Sequence, residues 1–162
     1  MFRVGIIGPE STGKSSLALY LSKRYKGTCV PEYARAYIER KGSKDVSYEE
    51  LCDIARHQIE EMGNLPGEAG RNEVVFFDTE LIVTKVWFDY AFGKVPEWLE
   101  DALRQYPMDV YLLTYPDLPW VPDPARYHGD KAMRMELFRR YEAEIQALDI
   151  PYYIIRHTSN DK

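Results

Sequence analysis

The sequence predicts an α/β fold in which a parallel sheet of five strands is covered by helices on both faces. Two observations support this fold class. Short apolar segments alternate with longer segments of helical periodicity along the chain. The short segments are almost continuously apolar, which is typical of parallel strands buried on both faces. With 162 residues, 45% of them hydrophobic, residues 1–162 are expected to form one domain around a single core.

Five short apolar segments are predicted to be the strands. The first leads directly into a glycine-containing loop, and segments of helical periodicity separate the others. The predicted strands are Arg3–Ile7, Thr28–Val30, Val74–Phe77, Val110–Leu113 and Tyr152–Arg156.

Amphipathic helices are predicted between the strands, and capping residues indicate where some of them begin. Ser47 and Glu50 have the spacing of a capping box. Pro96 fits the first turn of a later helix, where its missing N–H costs nothing. The predicted helices cover residues 14–26, a segment that follows Ser47 and reaches Met62, a segment from near Leu81, residues 96–106 and residues 130–148.

Two long segments show neither the apolar pattern of a strand nor the periodicity of a helix. Residues 63–72 are predicted to be a surface loop. Residues 114–130 contain four prolines together with aromatic and basic side chains. Long loops inside compact domains are often active-site lids, so residues 115–130 are predicted to be a lid, with disorder as the alternative.

Composition and charge exclude several classes of protein. The net charge of −5 argues against a nucleic-acid-binding surface, which needs clustered Lys and Arg. No segment approaches the ~20 apolar residues that cross a bilayer, and the N-terminus does not resemble a targeting signal. Cys29 and Cys52 have no zinc or disulfide spacing and are expected to be free thiols. We therefore expect a cytoplasmic protein that binds neither nucleic acid nor membrane.

The segment after the first predicted strand matches the phosphate-binding pattern G-x-x-x-x-G-K-[S/T] through Gly8, Gly13, Lys14 and Ser15. The glycines let backbone N–H groups face a phosphate, Lys14 reaches the β- and γ-phosphates, and the Ser15 hydroxyl coordinates Mg²⁺. A strand before the loop and a helix after it complete the P-loop NTPase arrangement, a three-layer α/β/α fold. The residues predicted to bind ATP in this loop are Gly8, Glu10, Ser11, Thr12, Gly13, Lys14, Ser15 and Ser16.

Asp78 ends the third predicted strand, where Mg²⁺ sites of P-loop proteins take a carboxylate. Ser15 and Asp78 are therefore the predicted metal ligands. The alternative is that Asp78 caps the helix that begins near Leu81.

The second predicted strand ends in Glu32, Tyr33 and Arg35, at the edge of the sheet where ligands of α/β proteins bind. Glu32 could accept the proton of an attacking hydroxyl, and Tyr33 could stack on a flat ring; the alternative for Glu32 is a solvated charge at a helix start. An aromatic segment follows Asp78, and we expect most of its rings in the core and one or two at a pocket. Those rings are Trp87, Phe88, Tyr90 and Phe92.

The predicted lid and the start of the last helix are rich in cations, namely Arg126, His128, Lys131 and Arg134. Arginines that close over a transferring phosphoryl group stabilise its negative charge. Arg126 and Arg134 are predicted to do so here, and Trp120 to contact the substrate. A solvated basic helix start is the alternative.

The guanine motif N-K-x-D and the H-R-D loop of protein kinases are both absent from the sequence. A small-molecule kinase best explains Glu32 and Tyr33, the residues expected on the side of the phosphate acceptor. Another nucleoside or nucleotide kinase, or an ATP-binding regulatory module with weak ATPase activity, stays open at this point.

Five segments occur in an order that resembles the nicotinamide riboside kinase domain of NadR-type bacterial NAD-biosynthesis proteins. They are GPESTGKSSL, PEYARAYIE, FFDTELIVTKVW, YPMDVYLL and LPWVPDPAR, and the resemblance covers nearly the whole chain. It implies ATP-dependent phosphorylation of the 5′-hydroxyl of nicotinamide riboside to the mononucleotide. Such proteins often carry an adenylyltransferase domain before the kinase and a further helix after the last strand; neither is expected here.

The resemblance also implies roles for individual residues. Trp120 would stack on the nicotinamide, Asp123 would hold the ribose and Arg126 would face the phosphate. Asp78 would lie near both the metal and the attacking hydroxyl, so Glu32 and Asp78 both stay open as the base, with Glu32 preferred. The full set of predicted substrate contacts is Glu32, Tyr33, Asp78, Thr79, Trp120 and Asp123; the predicted catalytic residues are Lys14, Glu32, Asp78 and Arg126.

Overall fold

A computed structural model describes residues 1–65, 73–119 and 130–157 of the chain. In that part, five strands are connected by six helices. The elements are β1 (Phe2–Ile7), α1 (Lys14–Arg24), β2 (Thr28–Val30), α2 (Tyr33–Lys41), α3 (Tyr48–Gly63), β3 (Val74–Asp78), α4 (Leu81–Phe92), α5 (Glu97–Gln105), β4 (Val110–Thr114), α6 (Lys131–Ala147) and β5 (Tyr152–Ile155).

The strands form one parallel sheet in the order β2-β3-β1-β4-β5. This confirms the predicted fold class. β1 lies at the centre, and Ile6 pairs with Asp78 of β3 on one side and with Leu112 of β4 on the other. The chain leaves β1 in one direction for β2 and β3 and in the other for β4 and β5. Ligands of such sheets bind in the crevice that opens where the direction changes.

The sheet separates two apolar clusters, which explains why its strands are apolar on both sides. The smaller cluster lies under α1 and is formed by Val4, Ile6, Ala18 and Phe76. The larger cluster includes residues of α3, α4, α5 and α6, together with strand residues such as Ile7, Phe77 and Leu113. The predicted three layers are therefore present.

Most predicted elements agree with the structure to within a few residues, and the capping box is present. The Ser47 N–H donates to Glu50 Oε2 at 2.8 Å, and the Glu50 N–H donates to Ser47 Oγ at 3.2 Å. One helix was missed, because α2 follows β2 after only two residues. Pro96 precedes α5 as its N-cap instead of lying in the first turn.

One close approach fixes the centre of the sheet. A Cβ atom on Gly5 of β1 would lie 2.6 Å from Cε1 of Tyr111 on β4, so a side chain at position 5 would displace that ring. Tyr111 is 1% exposed. Its ring fills the space that a side chain at position 5 would take.

No helix in residues 1–65, 73–119 and 130–157 is long and apolar enough to cross a bilayer. Most of the predicted lid, including Trp120, Asp123, Arg126 and His128, lies outside the described residues. The predictions for those residues remain predictions.

Candidate functional site

The loop between β1 and α1 is held in a conformation that its glycines permit. Gly8 has φ 156° and Gly13 has φ 80°. A Cβ atom on Gly8 would lie 2.8 Å from the carbonyl oxygen of Thr114, at the end of β4. The Thr12 hydroxyl donates to the Pro9 carbonyl at 2.7 Å and lies 2.5 Å from the Thr114 hydroxyl. The sequence pattern therefore forms a compact loop at the N-terminus of α1, where anions bind.

Arg134 of α6 hydrogen-bonds to the backbone of this loop. Its guanidinium donates to the carbonyl oxygens of Glu10 at 3.2 Å, Ser11 at 3.2 Å and Leu118 at 2.8 Å. The residue is 5% exposed. A buried charge needs such partners, so Arg134 connects the loop to the segment that follows β4. The prediction that it also contacts ATP or the transferring phosphoryl group stays a prediction.

Lys14 lies at the mouth of the loop. Its ammonium group donates to the carbonyl oxygens of Gly8 and Pro9, both at 2.9 Å. A cavity of about 130 Å³ surrounds the loop and is also lined by Glu32 and Arg35 at the start of α2. We call it the loop cavity.

Ser15 and Asp78 come together as predicted from their positions. The Ser15 hydroxyl donates to Asp78 Oδ2 at 2.6 Å, while Asp78 Oδ1 is buried and has no hydrogen-bond partner in the described part of the chain. A hydroxyl beside a carboxylate with a spare oxygen suits Mg²⁺, which takes few protein ligands and completes its shell with water and phosphate oxygens. The described residues hold no cluster of three His, Cys, Asp or Glu side chains that could bind a metal without such help.

The capping role that was the alternative for Asp78 belongs to Glu80. The Glu80 carboxylate accepts the Ile82 N–H at 2.9 Å at the start of α4. Burial raises the pKa of Glu80 to about 7, against opposing hydrogen bonds from the Ile82 N–H and the Tyr111 hydroxyl. Asp78 is thus left available for a ligand.

A second cavity, of about 110 Å³, lies next to the loop cavity. Its wall is aromatic, and we call it the aromatic cavity. Trp87 and Tyr90 of α4 form one part of the wall, and Tyr141 of α6 forms another. Burial and the nearby carboxylates of Glu10 and Glu32 raise the pKa of Tyr141. The cavity therefore combines flat apolar surfaces with negative charge.

The two cavities meet at Glu10, Lys14 and Glu32, which line both of them. Glu32 is the N-cap residue of α2 and is half-buried. Thr79, another predicted substrate contact, lines the aromatic cavity. The structure thus brings Lys14, Glu32 and Thr79 to one place.

Tyr33 lies elsewhere. Its ring stacks on His57 with the ring centroids 3.6 Å apart, and its hydroxyl accepts from Arg40 at 3.1 Å. Tyr33 lines neither the loop cavity nor the aromatic cavity of the described residues. Its predicted stacking on a substrate would need this arrangement to change.

Trp87 and Tyr90 are the two rings of the aromatic segment that line the aromatic cavity, where one or two were expected at a pocket, whereas Tyr141 was not predicted to line the site. A signal for all three exists in the sequence. Val83, Trp87 and Tyr90 follow the period of one helix face, and Arg134 and Tyr141 lie two turns apart on one face of α6. An inward arginine on an apolar helix face is unusual, and it indicates which face of α6 approaches the loop.

Comparison with known proteins gives a family. Residues 3–162 match the family model described as AAA domain. The trifunctional NAD biosynthesis/regulator protein NadR of Escherichia coli (strain K12) is 28% identical over 136 residues, which are 82% of this chain and 33% of that protein. The chain spans about a third of the length of the curated relatives it matches.

Two solved structures share the fold. The NadR protein in complex with NR has a TM-score of 0.78 at 20% identity, over 99% of this chain and 45% of that one. The NadR protein in complex with NAD and AMP-PNP has a TM-score of 0.71 at 24% identity, over 94% of this chain and 44% of that one. These similarities confirm the resemblance predicted from the five sequence segments.

Proposed function

The chain belongs to the AAA domain family, and from that premise we propose that it is an ATP-dependent kinase which phosphorylates the 5′-hydroxyl of nicotinamide riboside. One observation carries the proposal. The loop cavity and the aromatic cavity meet at Lys14 and Glu32. A phosphate donor in the first and an alcohol in the second would therefore react beside a cation and a carboxylate.

On this proposal the loop binds the triphosphate of ATP. Its backbone N–H groups and the start of α1 receive the phosphates, and Lys14 leaves the carbonyls of Gly8 and Pro9 for the β- and γ-phosphate oxygens. Ser15 and Asp78 would hold Mg²⁺, which neutralises charge on the phosphates when it is bound. Arg126 of the predicted lid would add positive charge as the lid closes.

Glu32 is the proposed base. The alcohol oxygen forms a bond to the γ-phosphorus, the bond from that phosphorus to the β–γ bridging oxygen breaks, and the alcohol proton passes to the Glu32 carboxylate. Asp78 is less suited to this proton because it is the proposed ligand of Mg²⁺, whose charge would hold its carboxylate ionised. ADP leaves with the bridging oxygen.

The lining of the aromatic cavity favours an acceptor that is flat and positively charged. Trp87 and Tyr90 offer ring faces, and Glu10 and Glu32 offer negative charge. A pyridinium ring such as that of nicotinamide riboside benefits from both. The NR in the NadR complex adds to this support. Trp120 and Asp123 of the predicted lid are proposed to contact the same ligand.

The experiment that tests the proposal measures ADP release from Mg·ATP with a panel of nucleosides: nicotinamide riboside, adenosine, guanosine, uridine, cytidine and thymidine. We expect strong stimulation by nicotinamide riboside, with the mononucleotide identified by mass spectrometry. Stimulation by a different nucleoside would replace the proposed acceptor and keep the kinase. Nucleotide binding without stimulation by any of them would favour the regulatory module.

A further inference from the structure

Two threonines line the aromatic cavity, and their buried hydroxyls differ in their hydrogen-bond partners. Thr84 of α4 is 2% exposed, and its hydroxyl donates to Gln58 Oε1 at 2.7 Å. Thr79 is 8% exposed, and its hydroxyl has no hydrogen-bond partner in the described part of the chain. A buried hydroxyl without a hydrogen-bond partner destabilises the folded chain. Natural proteins rarely keep such groups without a reason.

The backbone at Thr79 is also unusual. Its φ of 68° lies in the left-handed region, which β-branched residues rarely occupy. The Thr79 N–H donates to the carbonyl oxygen of Ile6 at 3.0 Å, so the end of β1 holds this conformation. Strain of this kind persists where the surroundings fix it, and it is common at binding sites.

We propose that the Thr79 hydroxyl hydrogen-bonds an alcohol group of the acceptor. This inference rests on the proposed kinase function and adds the group that orients the acceptor. Thr79 lines the same cavity as Glu32, whose carboxylate accepts hydrogen bonds and cannot donate them when ionised. A hydroxyl donates and accepts, so Thr79 supplies the donor that Glu32 lacks. The alcohol then gives its proton toward Glu32 while its oxygen accepts from Thr79.

The variant Thr79→Val tests the proposal, because valine keeps the branched shape and the backbone strain and removes only the hydroxyl. We expect kcat/KM for nicotinamide riboside to fall roughly tenfold with KM for ATP unchanged, the loss of about one hydrogen bond in a buried site. We also expect the ligand-free variant to melt about 2 to 4 °C above the wild type, since an unpartnered polar group has gone. Thr79→Ser keeps the hydroxyl and is expected to retain kcat/KM within about threefold.

Thr84→Val is the matched control for stability. It removes a buried hydroxyl of the same chemistry but leaves Gln58 Oε1 without its partner, so its melting temperature is expected to fall. Opposite shifts in the two valine variants would show that only Thr79 lacks an internal partner. A fall in both would overturn the proposal.

The kinetic outcomes separate this inference from the proposed function. An active wild type with an unaffected Thr79→Val variant overturns the inference alone. If Thr79→Val instead loses affinity for ATP, the hydroxyl belongs to the nucleotide site, and the inference is also overturned. A wild type that neither phosphorylates nor is thermally stabilised by any nucleoside of the panel overturns the kinase function, and the inference with it.

Discussion

The phosphate-binding loop and the aromatic cavity touch one another, yet they are built in opposite ways. Residues 8–16 supply the loop from one continuous segment. Lys14 donates to a carbonyl oxygen of the loop itself, and Gly8 lets the loop approach the backbone of β4 at Thr114. The aromatic cavity takes Glu32 from α2, Thr79 from the turn after β3, Trp87 from α4 and Tyr141 from α6. A ligand site that depends on the backbone conformation of one segment can be recognised in the sequence as a short motif. A site that is made of side chains from separate elements cannot.

Helix α6 connects the two regions. Arg134 donates to the loop, and Tyr141, two turns later, lines the aromatic cavity. A change at the start of α6 can therefore reach both regions, whereas the changes considered below are chosen to affect one region more than the other.

The largest expected effect is at the loop. Lys14→Ala removes the cation proposed to contact the transferring phosphate, and we expect kcat to fall about 10³-fold. Lys23→Ala, an exposed lysine in the last turn of the same helix, is the control and is expected to keep wild-type activity. ADP release and ATP binding would be measured for both variants. Equal activity of Lys14→Ala and the wild type would contradict the role of the loop in catalysis.

Glu32→Gln is expected to lower kcat about 10²-fold while leaving ATP affinity near the wild-type value, because an amide cannot accept the proton that Glu32 is proposed to take. Glu39→Gln, an exposed carboxylate on the same helix that pairs with Arg35 at 3.1 Å, is the control. Rapid-quench single-turnover kinetics would separate the chemical step from binding. If Glu32→Gln left turnover unaffected, Glu32 would not be the base and Asp78 would be the remaining candidate.

Trp87→Ala tests the aromatic cavity separately from the loop. Loss of one stacking face is expected to raise KM for the nucleoside about tenfold and to leave KM for ATP unchanged. Phe92→Ala lies on the same helix but outside the wall of the aromatic cavity, and it serves as the control. A rise in KM for ATP alone would mean that Trp87 belongs to the nucleotide site instead.

The smallest effect concerns the cap of α4, which carries the aromatic wall. Burial raises the pKa of Glu80 to about 7 from 4.5, so the folded chain binds a proton more tightly than the unfolded chain does. The resulting stability is present below pH 4.5 and is lost as the pH rises through 7. We expect a loss of about 1 kcal/mol between pH 6 and pH 8.

Glu80→Gln carries no titratable group at this position, and its free energy of unfolding should change less over that interval. Urea unfolding of the wild type and the variant at several pH values would measure the difference. Parallel pH curves would show that Glu80 does not titrate there.

Much of the fold could be predicted from the sequence because it depends on local patterns. Short apolar strands, a capping box at Ser47 and Glu50, and a loop with glycines at fixed spacing each have a local physical cause. The proximity of Ser15 and Asp78, which are distant in sequence, was also predictable because parallel strands end at the same edge of a sheet. Helix α2 was missed because it begins almost at the end of a three-residue strand.

By itself, then, the sequence determined the sheet, the loop and the pairing of Ser15 with Asp78. Only the tertiary structure decided which threonine hydroxyl lacks a partner, which aromatic rings face the cavity and where the guanidinium of Arg134 lies. The physical reason is the range of the interactions involved. Periodicity, caps and glycine conformations act over a few residues, whereas burial and hydrogen-bond satisfaction depend on every element that packs around a side chain.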